Sequence, residues 1–318
     1  MWLYAGRRIL MTIPSLIGVS VICFALVKFA PGYPVQNLLS PTASAEDAMR
    51  LRAAYGLDKP VVWQYLIWIG RVRLGDLGMS ISDKVPVAGE VFQALAHTIV
   101  IAVISVLLAP VLSLIFGVIG AYKAGTFADR LVTAVAVFGI SVPPFWLAVV
   151  LVILFSVNLG WLPATGMGPN GSDTFSYIRW SDLKYAVMPI FAQALPPLGI
   201  MTRTTRPSMS ESLNQDFILT LRAKGLGELQ VIRHAVVNIM PQAMAMLGLQ
   251  LGYLIGGSVL VETVFTWPGT GYLLNKAVLT RDIPLLQGTI LVLAGVFVLI
   301  NLVVDLLQSR VDPRLQRG

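Results

Sequence analysis

Polar side chains that could act on a solute are few, and they lie within long apolar stretches of the sequence or at the ends of these stretches. They are Asn158, Gln193, Gln250, Glu262, Gln287, Asn301 and Asp305. Polar groups at membrane depth are costly and often face a bundle interior or a solute pathway. Gln193 and Gln250 lie furthest from the ends of their stretches, so they are our candidates for a translocation path. Hydrogen bonding between helices is the alternative interpretation for every member of this set.

The sequence contains no motif typical of an ATPase, a hydrolase or a metal centre. The dipeptide Gly-Lys, which a phosphate-binding loop requires, never occurs, and no G-x-S-x-G elbow is present. The histidines, His97 and His234, fall on opposite sides of the membrane in the topology given below, so they could not share a metal ion. The single cysteine, Cys23, excludes a disulfide framework and is expected to be a small buried side chain. We therefore expect no catalytic residue, cofactor or metal on this chain.

Segment 203–237 is the most polar part of the chain and carries an amphipathic pattern. Leu213, Phe217 and Leu221 recur every fourth residue and so form a narrow apolar stripe on a predicted helix. Pro207 could open such a helix, and glycines at 225 and 227 are expected to end it. A short amphipathic helix can dock in a groove of a partner or lie on the lipid surface, and the residues alone leave both open.

The composition indicates which elements must position these groups. Hydrophobic residues make up 56% of the 318 residues and charged residues only 12%, so lipid is the natural solvent for the chain. Stretches of about 18 or more apolar residues predict helices that cross the bilayer. They are Ile9–Val27, Ile99–Ala121, Leu131–Phe155, Tyr185–Thr202, Ile239–Val261 and Leu285–Val304. The fold class is therefore all-α integral membrane with about six transmembrane helices.

The distribution of basic residues predicts that both termini are cytoplasmic. With the N-terminus inside, the cytoplasmic segments are 1–8, 122–130, 203–237 and 309–318. These segments hold 12 of the 23 Lys and Arg residues in about 62 positions, roughly twice the density of the outside segments.

The same pattern divides the chain into four parts. Residues 1–30 are a tail and the first transmembrane helix, 31–98 an extracytoplasmic loop region, 99–308 the core transmembrane domain, and 309–318 a cytoplasmic tail. The outside loop contains a predicted helix, Ala45–Tyr55, and an amphipathic segment over 61–72. Trp63, Tyr65 and Trp68 in that segment are typical of a membrane interface.

Prolines and glycines within the apolar stretches predict bent and closely packed helices. Pro143–Pro144 and Pro196–Pro197 are expected to interrupt the third and fourth crossings. Gly248, Gly252 and Gly256 recur every fourth residue, which places them on one helix face where another backbone can approach.

The sequence Asp216-Phe-Ile-Leu-Thr-Leu-Arg-Ala-Lys-Gly-Leu226, followed by His234-Ala-Val-Val-Asn238, resembles the coupling loop of peptide-type ABC importer permeases. The resemblance extends over nearly the whole chain through further motifs in the same order. They are Ala30–Gly32, Tyr55–Pro60, Gly75–Gly78, Ser141–Trp146, Leu159–Pro163, Val261–Gly269, Arg281–Pro284 and Val304–Arg314. The sequence departs from the family pattern at Leu219 and Leu221, where Arg and Ala are usual.

The resemblance implies a type I ABC importer permease fold and the first of two permease subunits of a dipeptide/oligopeptide importer in the bacterial cytoplasmic membrane. Two ATP-binding subunits would hold ATP and magnesium, and an extracytoplasmic solute-binding protein would deliver the solute; the bilayer is the remaining partner, and nucleic acid is not one. Alternating access driven by ATP would then move the solute.

The resemblance also assigns residues to the ATPase contact. The predicted coupling helix is Leu213–Gly225, with Phe217 and Leu221 in the ATPase groove. Its coupling residues are Leu213, Asp216, Phe217, Leu221, Arg222, Ala223, Lys224 and Gly225. Nickel complexes, glutathione or another small solute are the alternative substrates within the family. An ATP-independent channel or carrier is the alternative from another class.

Overall fold

The computed structural model describes residues 2–29 and 59–311, and these are predominantly α-helical. The helices are α1 Trp2–Phe29, α2 Val61–Arg73, α3 Val87–Tyr122, α4 Phe127–Ser141, α5 Pro144–Leu151, α6 Trp180–Leu213, α7 Asp216–Ala223, α8 Glu228–Val264, α9 Thr270–Leu279 and α10 Ile283–Val311. A π-helical segment, Val152–Asn158, continues α5. Within the described residues the extended structure is one isolated bridge, between Met79 and Pro86. The predicted helix Ala45–Tyr55 and the motif Ala30–Gly32 lie outside the described residues.

Three of the described helices are long and apolar enough to cross a membrane: α3, α6 and the Ile283–Leu306 part of α10. The helices α4 and α5, with the π-helical extension, pass the same test only when taken together, as a broken span or a re-entrant loop. These helices agree with the predicted all-α membrane class. The remaining two predicted spans lie in α1, whose apolar part is the shorter segment Leu10–Ala25, and in α8. Six crossings and cytoplasmic termini therefore stay predictions.

The two proline pairs behave differently from one another. The break at Pro143–Pro144 is confirmed, since α4 ends at Ser141, Val142 is extended and the next helix departs at 107°. A residue before proline is disfavoured in the helical conformation, which explains the extended Val142. The predicted break at Pro196–Pro197 is wrong, because α6 runs through both prolines without interruption. Pro207 likewise lies inside α6 and does not open a helix.

The continuous α6 is explained by its packing. Every residue from Ala192 to Gly199 is buried, and α4, α5 and α8 pack against this helix. Tertiary packing of this kind overrides local propensity, which is a weak prior. At one crossing, α4 and α6 approach so closely that a Cβ on Gly199 would lie 2.6 Å from the carbonyl oxygen of Ala136.

The chain forms two compact units. The first comprises Thr98–Pro268 and Ile300–Gly318, and its core contains α6 with the side chains Ala148, Met188, Leu195, Val261 and Phe265. The second comprises Trp2–His97 and Gly269–Leu299. Its core packs Val87 and Val91 against Leu273, Ala277 and Leu285.

A buried carboxylate ties two loops of the second unit together. Asp282 is fully buried, and its Oδ2 accepts hydrogen bonds from the hydroxyl of Ser80 at 2.6 Å and from the amide of Ser82 at 2.9 Å. The amide of Leu285 donates to Oδ1 at 3.1 Å. Burial raises the pKa of Asp282, but these hydrogen bonds outweigh burial and hold the pKa below the ordinary aspartate value.

Candidate functional site

The short helix α7 is held in place by one fully buried side chain. Ile218 is 0% exposed and lies in a cluster with residues from the ends of α3, α6 and α8. The other buried members are Ala121, Met209, Val231, Ala235 and Ile239. A displacement of α7 must therefore move the ends of three longer helices, because close-packed interiors transmit strain.

The predicted apolar stripe exists, but it faces the chain's own core. Leu213, Phe217 and Leu221 are partly buried and pack against the Ile218 cluster. Leu213 ends α6, and α7 begins only at Asp216, because Gln215 is extended. The prediction of one helix over Leu213–Gly225 is therefore wrong at its start.

The connection between α6 and α7 is fixed by Asn238 of α8. Its Nδ2 lies 3.2 Å from the hydroxyl of Ser212 and 3.2 Å from Oε1 of Gln215. The hydroxyl of Ser212 in turn donates a hydrogen bond to the carbonyl oxygen of Ala235 at 3.4 Å. These contacts give a physical reason for the asparagine that closes the second part of the coupling-loop motif.

The end of α7 has the geometry of a Schellman motif. Gly225 has a φ of 82°, which favours glycine, and its amide donates to the carbonyl of Arg222 at 2.9 Å. The amide of Leu226 donates to the carbonyl of Leu221 at 3.2 Å, and both side chains pack on the same cluster. The prediction that glycine ends this helix is confirmed.

An ion pair closes the turn between α7 and α8. Arg222 Nε and Nη2 donate to the two carboxylate oxygens of Glu228 at 3.0 and 3.2 Å. Both side chains are exposed, so the pair adds geometric definition more than stability.

The exposed face of this region carries two leucines that the stripe did not predict. Leu219 is 63% exposed on α7, and Leu229 is 82% exposed at the start of α8. Asp216, Ala223 and Lys224 are exposed as well. We call Leu219 and Leu229, with the Arg222–Glu228 pair, the docking face. The signal that could have identified Leu219 is its position: it is an apolar residue that lies off the buried stripe.

The two path candidates are buried between helices. Gln193 of α6 is 3% exposed, and its Nε2 donates to the carbonyl of Leu254 on α8 at 3.0 Å. Gln250 lies on α8 one turn before Leu254 and is 9% exposed. Among the described residues, no hydrogen-bond partner is found for the side-chain carbonyl oxygen of either glutamine. The contact of Gln193 matches the interhelical interpretation, and the role of both residues in a path stays a prediction.

Among the three glycines predicted to pack helices, Gly248 is buried in α8. Gly252 and Gly256 lie outside the residues whose surroundings the structure describes.

The predicted burial of Cys23 is confirmed, since this side chain is 1% exposed and its Sγ lies 3.4 Å from the carbonyl of Gln287.

A second polar contact near α7 was not predicted from the sequence. Arg206 of α6 donates through Nε and Nη2 to the carboxylate of Asp129 on α4, at 2.5 and 2.7 Å. The amide of Gly125 donates to the same carboxylate at 2.9 Å, and Asp129 is only 6% exposed. This pair ties α4 to the helix that leads into α7.

Comparison with known proteins agrees with this architecture. The model of the family "Binding-protein-dependent transport system inner membrane component" matches residues 113–317, and that of "Binding-prot-dependent transport system membrane comp, N-term" matches residues 1–115.

Three relatives resemble the chain over almost its whole length. The dipeptide transport system permease protein DppB of Alkalihalophilus pseudofirmus is 38% identical over 98% of this chain and 99% of its own. The oligopeptide transport system permease protein AppB of Bacillus subtilis is 36% identical over 98% of this chain and 99% of its own length. The glutathione transport system permease protein GsiC of Escherichia coli O6:H1 is 37% identical over 98% of this chain and 98% of its own length. The chain therefore belongs to the binding-protein-dependent transport system inner membrane components, as a permease of the peptide ABC importer type.

Proposed function

We propose that this chain is one of two permease subunits of an ATP-driven importer that takes up dipeptides and oligopeptides across a bacterial cytoplasmic membrane. Relatives named for dipeptide and oligopeptide transport support the substrate class. In this proposal the chain crosses the membrane six times, has both termini in the cytoplasm and is not itself an enzyme. Two ATP-binding subunits hydrolyse ATP with magnesium, and an extracytoplasmic solute-binding protein delivers the peptide.

The observation that carries the proposal is the docking face on a helix that is rigidly attached to the bundle. Leu219 and Leu229 expose apolar surface, and the Arg222–Glu228 pair supplies a polar rim. A helix with an apolar anchor and a charged rim suits a groove on a partner protein. In this assignment Leu219 enters the ATPase groove, while Phe217 and Leu221 hold α7 against the permease core.

Coupling follows from the attachment of α7. Closure of the ATP-binding subunits displaces α7, and Ile218 passes the displacement to the ends of α3, α6 and α8. The Asp129–Arg206 pair extends the moving body to the start of α4, whose other end lies at the 107° break. Helices that move as one body around a break suit an alternating-access cycle, in which a solute path opens to one side at a time.

Uptake by cells tests the substrate assignment. Cells with and without the gene for this chain are given a labelled dipeptide, labelled glutathione or nickel in separate assays. We expect dipeptide uptake to fall without the chain and to return when the chain is expressed again. Loss of glutathione uptake alone would favour the second candidate, which the similarity to a glutathione permease supports. Loss of nickel uptake alone would contradict the peptide assignment while leaving an importer function in place.

A further inference from the structure

One face of α2 is held by aromatic contacts with the end of α1. The hydroxyl of Tyr65 lies 2.7 Å from that of Ser20. The rings of Tyr65 and Trp68 pack on the ring of Phe24, with centroids 5.6 and 5.7 Å apart. Two of the three aromatic residues that the sequence placed at a membrane interface are therefore directed towards α1.

The polar groups on the same face are satisfied within the second unit. Gln64 is 7% exposed, its Oε1 accepts from Lys28 Nζ at 2.8 Å, and its Nε2 donates to the carbonyl of Lys59 at 2.7 Å. Lys28 lies in the last turn of α1. These contacts place α2 beside the end of α1 and give both ends of the Gln64 amide a hydrogen-bond partner.

The other face of α2 is apolar, and none of the described residues covers it. Val62 is 69% exposed, Trp63 59% and Leu66 47%. A helix of 13 residues with such a surface is not a stable arrangement in water, because exposed apolar area is unfavourable. Lys59 and Arg73, at the two ends of α2, are exposed cations.

The surroundings of α1 indicate what covers this face. Leu10, Ile17 and Ile22 of α1 are 67%, 54% and 60% exposed, so α1 presents a continuous apolar surface of the kind that faces lipid. Val62, Trp63 and Leu66 extend this exposed apolar surface onto α2, which packs against the end of α1 through Phe24. Indole rings prefer the boundary between acyl chains and headgroups, and flanking cations reach lipid phosphates.

We infer that α2 is an interfacial anchor, which inserts Val62, Trp63 and Leu66 into the bilayer at the extracytoplasmic end of α1 and binds lipid phosphate through Lys59 and Arg73. The inference rests on the membrane assignment and the predicted orientation, and not on which solute is transported. If α2 is such an anchor, the loop region 31–98 is fixed to the membrane surface at α2, Val61–Arg73.

The lone cysteine allows a direct test by site-specific quenching. In a Cys23→Ala background, Trp63→Cys and Leu66→Cys are each labelled with an environment-sensitive fluorophore in the full-length chain. The chain is assembled with its partner subunits in vesicles of phosphatidylcholine and phosphatidylglycerol. Asn170→Cys, in an exposed polar loop, is the matched control. If Cys23→Ala reduces assembly, Cys23→Ser replaces it.

Nitroxide groups on the lipid acyl chains should lower the fluorescence at positions 63 and 66 at least about twofold, because a probe in the interface lies close to them. Aqueous iodide should quench the control more strongly than either of these positions. Strong quenching by iodide alone would overturn the inference by showing that water covers the face. Protection from both quenchers would also overturn it, since a protein would then cover the face. An importer that fails to transport peptides would leave this result unchanged.

Discussion

The crossing of α4 and α6 allows a prediction whose size follows from the geometry. A Cβ on Gly199 would lie 2.6 Å from the carbonyl oxygen of Ala136 and 3.0 Å from the amide nitrogen of Ile140. Both atoms belong to backbone, so no side-chain rotation can remove the clash. Since close C–H···O contacts have carbon–oxygen distances of about 3.3 Å, the helices must separate by roughly 0.7 Å.

Separation of that size forfeits about a quarter to a half of the dispersion energy across the contact, and overpacking of a core typically costs about 1–3 kcal/mol. Alanine regains up to about 1 kcal/mol of helix propensity over glycine. We therefore expect Gly199→Ala to lower the free energy of unfolding by up to about 2 kcal/mol, and to lower uptake because α4 and α6 no longer move together.

The matched control is Gly295→Ala in α10, where a Cβ would meet no heavy atom of the described residues within 4 Å. Thermal unfolding of the purified complex, followed by size-exclusion chromatography of heated samples, measures both variants. Gly295→Ala should unfold at or above the temperature of the unchanged protein. If Gly199→Ala does the same, α4 and α6 do not cross at Gly199 and the packing around α6 is incorrectly assigned.

Three further predictions concern the polar contacts and the cluster beneath α7. Asp129→Asn should destabilise the complex by about 2 kcal/mol in thermal unfolding, less than a fully buried pair would, because Arg206 is partly exposed; unchanged stability would contradict a role in joining α4 to α6. Asp282 has a lowered pKa in the folded chain, so its hydrogen bonds stabilise above the unfolded aspartate value of about 3.9 and are lost as pH falls through the lower folded value. The melting-temperature loss caused by Ser80→Ala should therefore be constant between about pH 5 and 7 and shrink below about pH 4; a loss that grows with acid would refute this. Phe217→Ala removes a partly buried ring from the cluster, which should lower the free energy of unfolding by about 2–4 kcal/mol. The amount of assembled complex, measured by co-purification of the ATP-binding subunits, should therefore fall. Normal assembly would place Phe217 outside the permease core.

Long apolar stretches predicted most of the helices, because lipid leaves helical hydrogen bonding as the available choice for the backbone. The bend at Pro143 and the glycine end of α7 were also predictable, since both depend on residues within a few positions of the feature. The uninterrupted course of α6 through Pro196 was not, because it depends on burial against α4 and α8, which no local pattern encodes.

The candidate site shows the same division. Spacing alone identified Leu213, Phe217 and Leu221 as apolar residues that lie together, but it could not tell an outward surface from an inward one. The structure directs the stripe towards the core and leaves Leu219 exposed. The pairing of Asp129 with Arg206 joins residues 77 positions apart, and local sequence patterns do not predict contacts at such a separation.

The central claim, that ATP-binding subunits drive this permease through the docking face, is tested most directly in vesicles that contain the complete importer and its binding protein. ATP-dependent accumulation of a labelled dipeptide is compared for the unchanged chain, Leu219→Asp, and Leu279→Asp, a similarly exposed leucine of α9. We predict that Leu219→Asp folds normally, since surface substitutions change stability by about 0.5 kcal/mol or less, yet lowers accumulation at least about tenfold. Leu279→Asp should transport normally. Undiminished, ATP-dependent accumulation with Leu219→Asp would contradict the claim.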